Sequence, residues 1–231
     1  WFLPFSYGAF LFYLFDKQTR KFQQRFQAMI QKYFPFLAAL AASTFLSAKA
    51  ITFDFKDPKD VNNVIFQMDA PLESINGSGQ GVAGIVKFDP DSPESTSGSI
   101  TLAAASLHVG NPVLKEHIHG EEWMDVKKFP EIKFVLSKLE NVRKDGLHLL
   151  AVAKGKMTIR KVTKEITAPV KLTFLKGMLE KRNRVPGDLL VIRSKFVVKR
   201  DDFGIRPGEK LEKVSNEIEI SLNVAGAAPT K

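Results

Sequence analysis

The residues best equipped for chemistry lie at 115–125, KEHIHGEEWMD, where two histidines separated by one residue are followed by three carboxylates. Imidazole and carboxylate are the usual ligands of divalent metals, and the same pairing serves general acid–base catalysis. A metal needs several such groups aimed at one point. On a helix, His117 and His119 stand at i and i+2 and point about 200° apart, so they cannot chelate together. On a strand they would share a face, but the following Gly120-Glu121-Glu122-Trp123 does not read as a strand. For acid–base work, His117 beside Glu116 or Asp125 is a tunable group. The companions of a catalytic site are missing: the chain has no cysteine and no GxSxG or HExxH motif. DDFG at 201–204 has the kinase triplet without the glycine-rich loop, strand lysine or HRD stretch. His117 is left with two further readings, a structural histidine that fixes a crossing segment or a polar group at a cavity mouth. The sequence thus assigns no catalytic residue, no metal and no cofactor. An exported enzyme built on His117, Glu116 and Asp125, metal-dependent or acting on a lipid or amide, is the alternative.

The elements that must position this cluster have a period of two. EIEISLNV (217–224) sets Ile218, Ile220, Leu222 and Val224 on one face and polar residues on the other. ITAPVKLTF (166–174) and IKFVLSKL (132–139) repeat the alternation, the mark of half-buried antiparallel strands. Further strands are predicted at 63–70, 81–88, 98–107, 149–159 and 191–199, about eight in all, punctuated by turn sequences such as DPDSPES and KDG. Only 111–125 breaks the rhythm and reads as a short helix or ordered loop crossing the sheet. Regular strands of this kind make a barrel or a sandwich. Small inward residues beside large ones favour the barrel: Ala103, Ala105, Ala151 and Ala153 share that face with Phe134, Met157 and Phe174. An eight-stranded closed sheet can hold one small apolar molecule. A filled sandwich, with the alanines packed on the phenylalanines, satisfies the same pattern.

The first 50 residues differ from the rest. Residues 29–50, MIQKYFPFLAALAASTFLSAKA, place a cation, an apolar run and a terminal Ala-Lys-Ala in the order of a secretory signal peptide. Residues 1–28 are expected to be an upstream extension outside the translated protein, with translation starting at Met29 and the mature domain spanning 51–231. The chain's net charge is +9; without the six Lys/Arg and one Asp of residues 1–50, 28 basic and 24 acidic residues remain, a net +4. That balance, with no basic patch interleaved with aromatics, gives no reason to expect nucleic acid. Transient contact with an anionic membrane surface stays open. The absence of cysteine means that the core holds an exported domain together without disulfides.

Four stretches, GIVKFDP (84–90), LKEHIHGEEWMDVKKFPEIKF (114–134), GKMTIRKVTKEITAPVKL (155–172) and KRDDFGI (199–205), resemble the YceI-like lipid-binding family in order and spacing. The resemblance runs from about Val61 to Val224. Its most specific part is Lys115, Glu116 and His117, then Trp123, Met124 and Asp125, then Phe129 and Pro130 leading into Ile132 and Phe134. Arg200, Asp202, Phe203, Gly204 and Ile205 form the second signature. Lys115 stands where the family often has Arg, Val109 where it has Thr, and Lys161 where a turn glycine is common.

The resemblance implies an all-β, extended, eight-stranded antiparallel, lipocalin-like barrel with one short helical crossing segment. It also implies a periplasmic or secreted, non-catalytic carrier of a polyisoprenoid or other long amphiphilic lipid. The residues expected to line the apolar interior are Phe134, Leu136, Ala151, Ala153, Met157, Phe174, Phe196 and Val198, with His117 and Trp123 at the mouth. His119, at a variable position of the pattern, is expected to face solvent. The expected partner is an isoprenoid or fatty-acyl lipid; a homodimer is left open.

Overall fold

The structure, a computed structural model, describes residues 50–230. The extension 1–28 and all of the signal segment except Ala50 lie outside the described residues. Eleven strands follow: β1 (Ile51–Asp54), β2 (Asn63–Asp69), β3 (Ser74–Gly79), β4 (Val82–Phe88), β5 (Ser97–Ala103), β6 (His108–Val109), β7 (Glu131–Asp145), β8 (His148–Ile159), β9 (Val162–Leu175), β10 (Gly187–Lys199) and β11 (Glu217–Pro229). Two short α-helices join them, α1 (Pro112–His119) and α2 (Leu179–Asn183).

All pairings are antiparallel, and the sheet closes on itself. β11 pairs β10 along its length, β2 at Glu219–Asn223 and β1 at Ala227. β1 also pairs β4, and β2 pairs β3, so β1 and β2 are two halves of one interrupted stave. β3 with β4, and β5 with β6, are interrupted in the same way. Counting each broken stave once gives a closed eight-stranded antiparallel barrel, as the resemblance implied, where the alternation alone left a sandwich open. Each predicted strand segment falls in a separate stave. The alternation gave no sign of β1 or β3, because SINGSG at 74–79 has little apolar character and β1 is four residues long.

The breaks have local causes. Between β1 and β2 the Asp57 carboxylate accepts the backbone amides of Lys59, Val61 and Asn62 at 3.0–3.1 Å, which turns the chain out of the sheet. Asn62, 3% exposed, then replaces the lost ladder. Its amide donates to the Phe55 and Ala225 carbonyls at 2.9 and 3.1 Å, and its oxygen accepts from the Ala225 amide at 2.9 Å. Arg182 of α2 completes the network with an ion pair to Asp57 at 2.6 Å. At the β8–β9 turn the positive φ falls on Arg160 (54°), not on Lys161, where the resemblance leads one to expect a turn glycine. Its guanidinium lies 5.6 Å from the centre of the Phe129 ring, which helps hold a conformation that a non-glycine residue adopts at a cost.

Antiparallel topology gathers the connections at two ends. One end carries the β2–β3 turn, α1 with the segment to residue 130, the β8–β9 turn and the β10–β11 connection. The other carries the β4–β5, β7–β8 and β9–β10 connections. That second end is plugged by Phe53, Phe88 and Phe174, whose ring centres lie 6.1–6.5 Å apart in tilted and edge-on arrangements.

Candidate functional site

Between the phenylalanine plug and the helical end lies a cavity of about 200 Å³, bordered almost wholly by hydrocarbon. Val64, Phe66 and Met68 of β2, Ile100 and Leu102 of β5, Phe134 of β7, Ala153 and Met157 of β8, Phe196 and Val198 of β10, and Ile218, Ile220 and Leu222 of β11 form its walls. Thr101, Ser194 and Arg200 are its polar borders. Their donors are spent within the protein. Ser194 Oγ donates to the Pro169 carbonyl at 2.7 Å, and Thr101 Oγ1 makes a long contact of 3.4 Å to Ala83.

Arg200 is 1% exposed and closes the helical end. Its Nε donates to Ser215 at 3.2 Å, Nη1 to Ile205 at 3.0 Å and also to Arg206, and Nη2 to Val214 at 3.3 Å and also to Glu209. Five donors thus meet five backbone carbonyls, which satisfies a guanidinium without any carboxylate. The 201–215 connection is wrapped around this one cation. Phe203 and Ile205, 2% and 4% exposed, pack beneath it, and Gly204 provides the positive φ (65°) of the turn. The RDDFGI signature is therefore a structural cap.

Trp123 lies over Arg200, with the guanidinium carbon 5.7 Å from its ring centre and that of Arg206 at 5.8 Å. Arg206 pairs in turn with Glu122 and Glu209. α1 lies across the same end. Asn111 caps it by accepting the Val113 and Leu114 amides at 2.9 and 3.2 Å, and Pro112 occupies the first turn, where its missing amide costs nothing. Ile118 and Met124 reach the cavity from this segment.

The histidines are arranged opposite to expectation. His119 is half-buried, and its Nε2 donates to the Leu107 carbonyl at 2.7 Å, pinning α1 to the β5–β6 break. His117 is exposed on the outer face of α1 and does not border the cavity. The helix explains the reversal, since residues two apart face opposite ways. Among the described residues no three His, Asp or Glu side chains converge as metal ligands would.

Of the residues expected to line the interior, Phe134, Ala153, Met157, Phe196, Val198 and Trp123 border the cavity. Leu136, Ala151 and Phe174 share the inward phase but belong to the packed core outside the cavity lining. Small inward residues also do not all leave space. A Cβ on Gly155 would stand 2.5 Å from the Phe134 ring, so that gap is filled by the ring. Sequence reasoning missed the linings of β2, β5 and β11, although the alternation that selected β7–β10 marks Ile218, Ile220 and Leu222 equally well.

The sequence matches the model of the YceI-like domain over residues 48–226. The chain belongs to the YceI-like family. A UPF0312 protein of Pseudomonas putida strain W619 is 28% identical over 204 residues, covering 86% of this chain and 98% of that protein. Among solved structures, BcnA of Burkholderia cenocepacia superposes with a TM-score of 0.59 at 22% identity, covering 71% of this chain and 95% of BcnA. A polyisoprenoid-binding domain of Saccharophagus degradans implicated in plant cell wall breakdown gives 0.53 at 10% identity, covering 78% of this chain and all of that domain. These structures share the YceI-like barrel at identities that speak for the fold alone.

Proposed function

We propose that this YceI-like chain is an exported, non-catalytic carrier that holds the tail of a polyisoprenoid or other long amphiphilic lipid inside its barrel. One observation carries the proposal: a hydrocarbon cavity inside the barrel whose bordering polar side chains have their donors engaged within the protein. Such a space rewards apolar length and offers little to a polar substrate. Burying ten methylenes gains roughly 8 kcal/mol, against about 1 kcal/mol net for a single hydrogen bond. The polyisoprenoid-binding domain of Saccharophagus degradans supports the reading, since it builds its barrel on the same fold. The signal-peptide pattern of 29–50 supports export to the periplasm or beyond.

Native mass spectrometry of the protein purified from cells that produce it tests the proposal. A carrier emerges with a hydrophobic adduct that organic solvent removes. A protein without adduct that also takes up no isoprenoid or acyl lipid from detergent solution overturns it.

A further inference from the structure

The staves are not zipped equally. β9 and β10 pair from Leu189↔Leu175 to Ser194↔Val170 and no further, although β10 continues to Lys199 and β9 begins at Val162. Over the same stretches β9 stays paired to β8 and β10 to β11. The seam parts at Pro169, opposite Lys195. Proline has no amide hydrogen to continue a ladder, and the Pro169 carbonyl takes the Ser194 hydroxyl as its donor.

Along the unzipped part, inward-facing Ala168 and Val198 are each 5% exposed, as deeply buried as Leu172, Leu190 and Ile192 of the zipped part. Ile166 and Phe196 in the same phase are half-buried, and Lys164 is exposed. Ile166 and Phe196 also border the cavity, so the apolar interior reaches the side wall here. Outside, where the seam parts, a hollow of about 550 Å³ is bordered by Arg143, Lys171, Arg193 and Lys195 and by no acidic residue. It shares Val170 and Ser194 with the cavity lining. Among the described residues, Lys195 alone of these four cations has a carboxylate partner, Glu219 at 3.2 Å. Burial and the like charge of Arg182 both work against the charge of Arg193, holding its pKa below the ordinary arginine value.

We infer that the ligand loads sideways: its tail passes through the open β9–β10 seam, and an anionic headgroup of the phosphate class stays outside on the Arg143–Lys171–Arg193–Lys195 hollow. The inference rests on the carrier reading and narrows it to anionic amphiphiles. It also gives Pro169 a role, as the residue that keeps the seam from zipping.

Two measurements test it with farnesyl phosphate, farnesol and inorganic phosphate as probes. The protein should prefer farnesyl phosphate to farnesol by about a hundredfold, roughly tenfold for each charge-assisted contact. The preference should collapse in Arg143→Gln/Lys171→Gln, two exposed residues for which the structure shows no side-chain hydrogen bond. Because the chain has no cysteine, Thr167→Cys/Val197→Cys places a unique pair across the seam. Bridging that pair with a short bismaleimide should slow farnesyl phosphate loading at least about tenfold relative to the unbridged protein. Equal affinity for phosphate and alcohol, competition by inorganic phosphate as strong as that of farnesyl phosphate, or undiminished loading of the bridged protein overturns the inference while the carrier reading stands. Failure to bind either farnesyl compound, with no adduct on the native protein, removes the carrier reading as well.

Discussion

Replacing Arg200 by lysine keeps the charge and removes donors, which isolates what the buried guanidinium does. Lysine offers three N–H groups where arginine offers five. At least two of the carbonyls of Ile205, Arg206, Glu209, Val214 and Ser215 therefore lose their partner at a position that is 1% exposed. Each buried acceptor left unsatisfied costs about 1–2 kcal/mol, so Arg200→Lys should destabilise the barrel by about 2–4 kcal/mol. With an m value of about 2 kcal/mol/M in urea, the unfolding midpoint should fall by roughly 1–2 M. Exchange of the planar guanidinium over Trp123 for an ammonium should also change the indole fluorescence of the folded state. Amide hydrogen exchange should locate the damage in the 201–215 connection, with little change in β7 or β8. A midpoint within about 0.3 M of the parent would refute the view that the RDDFGI signature works as a carbonyl-wrapped cap.

Asp57 provides a pH test. Burial opposes its ionisation, but the backbone amides of Lys59, Val61 and Asn62 and the Arg182 charge outweigh burial and hold its pKa below the usual carboxylate range. A folded pKa below the unfolded value of about 3.9 contributes stability that is complete above that pH and is lost as pH falls through the folded pKa. Asp57→Asn should therefore be less stable than the parent at pH 7, and the gap between their thermal melts should narrow progressively as pH falls below about 4. A gap that stays constant down to pH 3 contradicts the assignment. His119→Ala should lower stability by about 1 kcal/mol through its lost bond to Leu107, while His117→Ala should stay within about 0.5 kcal/mol of the parent. Equilibrium denaturation of the two variants decides between them, and the reverse order would contradict the placement of α1.

The staves were legible because a period of two survives in each, and the crossing helix because Asn111-Pro112 interrupts that period, whereas closure into a barrel over a sandwich rested on the resemblance. Pro169 was legible and went unread. It sits within ITAPVKLTF, where the apolar alternation looks continuous, yet a proline inside a strand signals an unpaired neighbour on one side. The seam at Ser194↔Val170 is that signal realised. The His117 and His119 roles were beyond the sequence, because the carbonyl that fixes His119 belongs to Leu107, across a turn whose geometry depends on the β5–β6 break. Arg200 was the same kind of problem. Its partners are scattered over 205–215, and no spacing rule identifies backbone carbonyls as the counterpart of a buried cation. The cavity residues were half legible: phase selects the inward side, but whether an inward alanine borders empty space or a phenylalanine depends on register, as Gly155 beneath Phe134 demonstrates.

The central claim is that the hydrocarbon space beside Ala153 is where the lipid tail resides. Ala153→Trp tests it most directly, because the residue is 5% exposed, borders the cavity and belongs to a strand paired on both sides. Protein purified from the producing cells is extracted with organic solvent, and the lipid is quantified per mole by mass spectrometry, with circular dichroism and a thermal melt confirming the barrel. A folded Ala153→Trp protein should have lost its lipid load, and a His117→Ala protein should keep it. A folded Ala153→Trp protein that carries the full load contradicts the claim.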